Sequence, residues 1–399
     1  MNERLDLREY ESYRLPAAAL PTILGRRLWA EYGEVVDVAF PSPKTADCWQ
    51  LTPQGYAGYI PLSPTLHMQL LPKVSLDNLI YLLAYVYDLD EWRLLDGLQP
   101  AASLPGFYEQ LADLLARRVR RRVRLGLHRD YLLVERPLPY LRGQLRPKPG
   151  RQSPTTTALT CRYQEQTAVI SDNQLLAYTL GHLARGSLLT QAAIQQRVVR
   201  AYRLLRSLVG EGERPFTSDD CLHINYTRLN QDYRPLHALC RFFLSHTMPV
   251  LPRSGLAQTI PFLVDMARLY EQFVAAWLQA NLPDGWQLQV QEQVIVGPDE
   301  ALRFNIDLVL YDAQGQPQLV LDSKYKTPGT PSNPDFNQVL VYAQAKGCRQ
   351  AVLVYPQPLP RPLDVTLAGV RVRSLTFALD GDVGENGRNF LNKLDLTGF

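Results

Sequence analysis

Two carboxylates and an amine lie close together in the sequence towards the end of the chain, at Asp307, Asp322 and Lys324. The apolar segments that carry them are joined by turn-forming residues, which predicts a β-hairpin. A turn centred between Gln314 and Gly315 places Asp307 directly opposite Asp322, with Cβ atoms about 4.5 to 5.5 Å apart. Lys324 emerges on the same face of the strand as Asp322, because side chains two residues apart do so. Carboxylates this close repel each other unless a cation lies between them.

This pattern predicts metal-dependent hydrolysis of a phosphodiester. Mg²⁺ or Mn²⁺ prefers oxygen ligands, so we expect the ion to bind Asp307, Asp322 and the backbone carbonyl of Ser323. Lys324 would orient the attacking water and stabilise charge on the phosphate. Glu271 lies on an apolar helical stripe, where a carboxylate is costly unless it is partnered. We expect Glu271 to complete the metal site directly or through water.

An Asp-x-Lys tripeptide on a strand also has an ordinary interpretation, in which the lysine pairs with a neighbouring acid at the sheet surface. The order of the predicted elements favours catalysis. A helix over Phe262–Ala280 precedes three strands, and a helix over Asp335–Lys346 and a strand over Ala351–Tyr355 follow them. This is the order of elements in the PD-(D/E)XK nuclease fold.

Three more polar residues are DNA-contact candidates. Gln338 and Tyr342 are four residues apart on a predicted helix and share a face. They either contact a phosphate backbone or buttress Lys324, and the alternative is an ordinary amphipathic helix with the tyrosine packed on the sheet. Lys326 either contacts DNA or lies in solvent.

Composition excludes several classes of protein. The chain has 399 residues, of which 46% are hydrophobic and 20% charged, as in ordinary globular proteins. Its longest wholly apolar or aromatic run, Leu79–Tyr87, is too short to span a membrane. The charged start of the sequence lacks the apolar stretch of a secretory signal, so we expect a cytoplasmic protein. The five cysteines are spread singly, which argues against disulfides and zinc ribbons. No glycine precedes a lysine, so a nucleotide-binding P-loop is absent from the sequence.

The sequence predicts a multi-domain α/β protein with mixed strands and helices. We expect a strand-rich and helical docking region over 1–150, a helical middle region over 151–250, and a PD-(D/E)XK domain over 251–399, with a mixed central sheet flanked by helices. The basic charge lies towards the front, since residues 1–250 hold 30 Lys and Arg against 24 Asp and Glu. Arg117–Arg124 has six arginines in eight residues, and it is either a solvated helix face or a surface for nucleic acid or a protein partner.

The chain resembles the McrC family, the nuclease subunits of McrBC-type modification-dependent restriction systems. The resemblance covers roughly residues 75–355, and its successive blocks are GLHRDYLLVERPLPYLRGQL, SDNQLLAYTLGHL, RLNQDYRPLHAL, DMARLYEQFV, RFNIDLVL and LDSKYK. It implies that Glu271, Asp307, Asp322 and Lys324 form the catalytic set. One departure is that Ile306 stands where the proline of the motif name would precede the aspartate.

The resemblance also implies partners and a role in antiviral defence. McrC-like subunits work with hexameric McrB-like AAA+ GTPases that translocate DNA, and the N-terminal part of the nuclease subunit docks into the ring and stimulates GTP hydrolysis. GTP would therefore act only through the partner. We expect modified double-stranded DNA, such as DNA with 5-methylcytosine, as the substrate, and self-dimerisation through the nuclease domain. The alternatives are a stand-alone RecB-like repair nuclease and a non-catalytic adaptor of an AAA+ motor.

Overall fold

The computed structural model describes residues 3–63, 65–89, 101–146, 159–186, 188–210, 212, 214–246, 261–296, 302–326 and 328–396. The chain forms two compact units. The first joins Met1–Glu91 to Pro261–Phe399, and the second consists of Trp92–Ile260. The compact units therefore differ from the expected three-part division. The boundary expected near 250 lies close to Pro261, whereas 150 falls inside the second unit.

The N-terminal part of the first unit is rich in short strands, as expected. Its strands are β1 (Glu3–Arg8), β2 (Tyr13–Pro16), β3 (Val36–Ala39), β4 (Cys48–Pro53), β5 (Tyr56–Pro61) and β6 (Leu66–Leu71), and its helices are α1 (Thr22–Tyr32) and α2 (Leu76–Val86). Strands β2, β4 and β3 form an antiparallel sheet, while β6 pairs parallel with β1 and antiparallel with β5. A buried core containing Trp49, Leu51 and Met68 stabilises this part.

The second unit is mainly helical. Its elements are α3 (Leu104–Leu125), β7 (Asp130–Leu138), β8 (Gln144–Leu145), β9 (Leu159–Thr167), α4 (Ser171–Arg185), α5 (Ala192–Val209) and α6 (Arg234–His246). The three strands form an antiparallel sheet in the order β7-β9-β8. Helix α3 begins at the cap residue Ser103, whose hydroxyl accepts a hydrogen bond from the backbone N–H of Gly106.

The C-terminal part of the first unit carries the predicted order of helix, three strands, helix and strand. Its elements are β10 (Phe262–Asp265), α7 (Met266–Asn281), β11 (Gln287–Val296), β12 (Leu302–Tyr311), β13 (Pro317–Ser323), α8 (Asn333–Lys346), β14 (Gln350–Tyr355), β15 (Asp364–Leu367), β16 (Val370–Thr376) and α9 (Val383–Leu394). The helix predicted from Phe262 begins only at Met266. The apolar residues before it form β10, which pairs antiparallel with β5.

A six-stranded mixed sheet in the order β11-β12-β13-β14-β16-β15 forms the centre of this part. Strands β13, β14 and β16 are parallel, and the pairs β11–β12, β12–β13 and β15–β16 are antiparallel. Helix α8 packs on the sheet through Val339, Tyr342 and Ala343. The predicted mixed α/β architecture with helices beside the sheet is confirmed. None of the helices in the described ranges is long and apolar enough to span a bilayer.

Candidate active site

The β12–β13 hairpin brings Asp307 and Asp322 together. Leu308 pairs with Leu321, in the predicted register, and the register shifts only beyond Leu310, nearer the turn. Asp307 and Asp322 are the next residues along the two strands. The Oδ2 atom of Asp307 accepts a hydrogen bond of 3.4 Å from the backbone N–H of Ser323. The predicted convergence of these two carboxylates is therefore present in the structure.

Backbone hydrogen bonds and one side chain, that of Asp312, stabilise the turn of this hairpin. Oδ1 of Asp312 accepts hydrogen bonds from the backbone N–H groups of Gln314 and Gln316, at 2.9 and 2.8 Å. Gly315 adopts a φ of +73°, which costs glycine little because it has no Cβ atom. These contacts fix the end of the hairpin and so help to set the register that aligns the two acids.

Lys324 lies between the acidic pair and helix α8. Its Nζ atom is 2.7 Å from Oδ2 of Asp322 as an ion pair, and it donates a 3.0 Å hydrogen bond to Oε1 of Gln338. Nε2 of Gln338 in turn donates to the hydroxyl of Tyr342 at 2.8 Å. Of the two predicted interpretations, this geometry fits the one in which Gln338 buttresses the lysine. The ring of Tyr342 also packs edge-on against Phe304, so it forms part of the hydrophobic core as well.

Glu271 reaches this region from α7. The cap residue Asp265 starts this helix by accepting a hydrogen bond from the backbone N–H of Arg268. The side-chain amide of Gln291, on β11, donates a hydrogen bond to Oε1 of Glu271. Glu271 therefore has the polar partner that its predicted place on an apolar stripe requires.

Gln291 is a site residue that the sequence did not predict. Its neighbours Val290 and Glu292 pair with Leu308 and Ile306, so it lies opposite Asp307 across the β11–β12 ladder. Its φ of +53° is unusual for a residue with a side chain. The only sequence signal is one more polar residue in an alternating strand, which is too weak to single it out.

The electrostatics of the site show excess negative charge. Burial, with a contribution from the nearby Asp307, raises the pKa of Asp322 to about 7 although the Lys324 ammonium opposes the rise. Burial and the charge of Glu271 raise the pKa of Asp307. Burial also raises the pKa of Glu271, despite the Gln291 hydrogen bond, and the charge of Asp322 adds to the rise. Three carboxyl groups thus share one ammonium group, and a divalent cation would balance the difference.

The donor atoms at this site fit Mg²⁺ or Mn²⁺ in type, because they are carboxylate and carbonyl oxygens. Asp307, Asp322 and the carbonyl of Ser323 are available as ligands. Over the described ranges, however, no group of three or more His, Cys, Asp or Glu side chains is gathered as a metal site. The charge of Glu271 raises the pKa of Asp307, and its completion of the metal site, directly or through water, stays a prediction.

Lys326 follows β13, and its side chain reaches the first turn of α8. Its Nζ atom is 2.6 Å from Oδ2 of Asp335, a buried carboxylate in the first turn of that helix. Although burial opposes the shift, the Lys326 ammonium and the Ser332 hydroxyl lower the pKa of Asp335. The lysine side chain remains 41% exposed. A DNA contact at Lys326 stays a prediction, and its observed role is to pair with Asp335.

Comparisons with known proteins agree with the resemblance seen in the sequence. The family described as "McrBC 5-methylcytosine restriction system component" matches residues 51–356, a range that contains every site residue. One chain of similar fold comes from a solved assembly. That structure is the refined half-complex from a tetradecameric assembly of Thermococcus gammatolerans McrB AAA+ hexamers with bound McrC. Its TM-score is 0.53 and its identity 17%, over 98% of this chain and 100% of that one. A chain in the cryo-EM structure of the T. gammatolerans McrBC complex has a TM-score of 0.42 and 19% identity, over 70% of this chain and 88% of that one. The curated proteins include no match to this sequence. This chain belongs to the McrBC family of 5-methylcytosine restriction system components.

Proposed function

We propose that this chain is the DNA endonuclease subunit of an McrBC-like restriction system and hydrolyses phosphodiesters with Mg²⁺ or Mn²⁺. The observation that carries the proposal is the convergence of Asp307, Asp322 and Lys324 on adjacent strands of the mixed sheet. The succession of α7, β11, β12, β13, α8 and β14 supports a PD-(D/E)XK domain. Membership of the McrBC family supports the restriction role.

The residues of the site suit the steps of hydrolysis. Asp307, Asp322 and the Ser323 carbonyl would hold the metal ion, which when bound supplies a Lewis acid for the phosphate and lowers the pKa of a water. Lys324 presents an ammonium group beside these ligands, where it can orient the water and stabilise the negative charge that develops on the phosphate. Glu271 would complete the site, either as a ligand of the ion or by accepting a hydrogen bond from a water.

Gln338 and Tyr342 act through Lys324 in this proposal. A lysine has four rotatable side-chain bonds, and holding its amine in one place costs conformational entropy. Lys324 donates a hydrogen bond to Gln338, which donates one to Tyr342, and this chain fixes the amine before the substrate binds. We regard Gln338 and Tyr342 as positioning residues rather than as direct DNA contacts.

We further propose that the chain works with a hexameric AAA+ GTPase, since the similar chain comes from an assembly of McrB AAA+ hexamers with bound McrC. Residues 1–91 belong to the same compact unit as the site, through the β5–β10 pairing and a hydrogen bond from Tyr325 to Glu9. The expected docking region, 1–150, thus spans both units, and we propose that its part in the second unit contacts the motor. The β7–β9–β8 sheet of this unit and the connection between β7 and β8 expose large apolar side chains, which is typical of a protein interface: Tyr131, Leu133, Tyr140, Leu141 and Leu145.

The nuclease proposal is tested by cleavage of methylated plasmid DNA with Mg²⁺, GTP and the partner motor. Asp322→Ala and Lys324→Ala should each reduce the cleavage rate by at least 100-fold, on the order of the loss expected for a charged catalytic group. Asp37→Ala, which removes an exposed carboxylate elsewhere in the same unit, should cut as the parent does. Equal cleavage by Asp322→Ala would favour the non-catalytic adaptor. Digestion from DNA ends without nucleotide or motor would favour the RecB-like nuclease.

The docking proposal is tested by GTP turnover of the motor. Leu133→Asp combined with Leu141→Asp should abolish the stimulation of turnover, because it places charges on the exposed apolar surface of the sheet and of the β7–β8 connection. Leu367→Asp, at an exposed position on β15 in the first unit, is the control and should stimulate normally. Full stimulation by the double variant would exclude this sheet as the docking surface.

A further inference from the structure

The second unit is far more basic than the chain as a whole. Trp92–Ile260 contains 24 Lys and Arg against 12 Asp and Glu, whereas the first unit contains 18 against 27. The net charge of +3 for the whole chain therefore combines about +12 in one unit with about −9 in the other. Lys148 is the only lysine of the second unit, so 23 of its cations are arginines. Strong positive charge confined to one unit predicts a polyanionic partner for it.

Helices α3 and α5 lie side by side in this unit and run in the same direction. Near the start of α3, the buried carboxylate of Glu109 accepts hydrogen bonds from Thr190 and Gln191, just before α5. One turn further along α3, Asp113 pairs with Arg197 of α5. The two contacts advance together along both helices. The later turns of α3 therefore lie beside the later turns of α5.

Both helices carry arginines along these later turns. We define the arginine face by the residues that follow Asp113 on its side of α3 and by those that share the outer side of α5, which are Arg117, Arg120, Arg121, Arg124, Arg197, Arg200 and Arg203. Five of the seven are exposed, and Arg120 and Arg197 are half-buried. The residues at spacings of three and four on α3 share one side because the helix has 3.6 residues per turn.

The arginine face is short of compensating charge. Asp113 is the only carboxylate that its members contact within the described ranges, and it is shared by Arg117, at 3.1 Å, and Arg197. Like charges three or four residues apart destabilise a helix. Burial, together with repulsion by Arg121 and Arg117, lowers the pKa of the neighbouring Arg118. A surface that repels itself in this way is stabilised by a ligand that brings negative charge.

Arginine in place of lysine indicates what kind of anion fits. The guanidinium group is planar and donates two parallel hydrogen bonds to a phosphate, and it is less strongly hydrated than an ammonium group. Two adjacent helices present these groups in rows, which suits a ligand with phosphates at regular intervals. The rows of exposed side chains on two helices suit an extended chain of phosphates rather than a small molecule.

We propose that the arginine face binds the phosphate backbone of double-stranded DNA without reading its bases. The choice of DNA among polyanions rests on the proposed nuclease function, whereas the phosphate chemistry rests on the arginines alone. Seven guanidinium groups with one shared carboxylate leave about six positive charges. Each phosphate neutralised contributes about −0.9 to the slope of log binding constant against log salt concentration. Binding should therefore weaken steeply between 50 and 300 mM NaCl.

The experiment measures binding of a labelled 30-bp duplex to the full-length chain by fluorescence anisotropy, without divalent metal and in an Asp322→Ala background. The test variant carries Arg121→Gln, Arg124→Gln, Arg200→Gln and Arg203→Gln, since glutamine keeps helix propensity and removes charge. The matched control removes the same charge from exposed positions in the first unit, and its changes are Arg14→Gln, Arg26→Gln, Arg349→Gln and Arg388→Gln. Lysine at the four face positions is the charge-preserving rescue.

We expect the glutamine variant to lose at least tenfold in affinity at 150 mM NaCl and its salt slope to fall by about 3 to 4. The control should lose much less, and the lysine variant should recover most of the affinity. Equal affinity of the glutamine variant and the parent overturns the proposal, as does a parent that does not bind the duplex. Loss of binding to poly-glutamate with duplex binding unchanged would identify an acidic protein as the partner instead. Since no cleavage is measured, failure here leaves the active-site assignment standing, and failure of the cleavage test leaves this proposal standing.

Discussion

The positioning of Lys324 by α8 gives a prediction with a defined size. Gln338→Ala removes the acceptor of the 3.0 Å hydrogen bond from the lysine amine. A hydrogen bond to a charged group contributes about 1.5 to 3 kcal/mol. If that contribution is realised in the transition state, its loss slows the chemical step by about 10- to 100-fold. The Asp322 ion pair remains in this variant, so the lysine stays near the site and activity is reduced rather than abolished.

Tyr342→Phe removes only the hydroxyl that orients Gln338, and the ring stays packed in the core. A neutral hydrogen bond contributes about 0.5 to 1.5 kcal/mol, which predicts a roughly 2- to 10-fold loss. Because the hydroxyl acts on Lys324 only through Gln338, its removal should have no further effect in Gln338→Ala. The two losses are therefore strongly non-additive.

The assay is single-turnover cleavage of modified duplex DNA by the chain and its motor, with DNA affinity measured in parallel. We expect both variants to lower the rate at saturating DNA and to leave the affinity unchanged. Gln344→Ala changes the same residue type at an exposed position on α8 and should have no effect. Additive losses that appear as weaker DNA binding would refute the positioning role and favour direct phosphate contacts by Gln338 and Tyr342.

Two further predictions concern other buried or strained groups. Burial, with repulsion by Arg185, lowers the pKa of His182 from 6.5 to about 4. Between those values the unfolded chain binds a proton that the folded chain does not, so the free energy of unfolding should fall by on the order of 3 kcal/mol as pH drops through this window. Denaturant unfolding of His182→Leu should lose this pH dependence, whereas the exposed control His223→Leu keeps it; a parent equally stable at pH 4 and 7 would contradict the assignment. Gln291→Ala should raise several-fold the Mn²⁺ concentration needed for half-maximal cleavage, because Glu271 loses its amide donor. Gln291→Gly should raise this Mn²⁺ concentration equally. Its free energy of unfolding should nevertheless be about 1 kcal/mol higher than that of Gln291→Ala, since φ of +53° favours glycine. An unchanged Mn²⁺ requirement in both variants would show that Gln291 does not support Glu271 in metal binding.

The hairpin register is the part of the site that sequence predicts best. A short turn with Gly315 leaves few ways to align two strands, so Asp307 and Asp322 could be paired from the sequence alone. The pairing survives the bulge near Tyr311 because the shift lies on the turn side of Leu310. The positions of Lys324 and of the polar pair on α8 follow from the periods of a strand and a helix.

Residues whose role depends on distant parts of the chain could not be predicted. Phe262–Asp265 is an apolar run that periodicity alone cannot assign to helix or strand, and its partner β5 lies two hundred residues earlier in the sequence. The same long-range pairing places residues 1–91 in one compact unit with the C-terminal part. A division of the chain into consecutive segments does not describe such a unit. The position of the Gln291 side chain depends on a left-handed backbone conformation, which the residue type does not predict.

The central claim is that Asp307, Asp322 and Lys324 surround a single metal ion. The most direct test is a crystal of this chain soaked in millimolar Mn²⁺, with anomalous difference density measured at the manganese edge. We predict one peak bound by carboxylate oxygens of both aspartates and the carbonyl of Ser323, with the lysine amine beside it, and no peak in an Asp322→Ala crystal. Carboxyl groups left in contact with each other, with no anomalous density near them, would contradict the account.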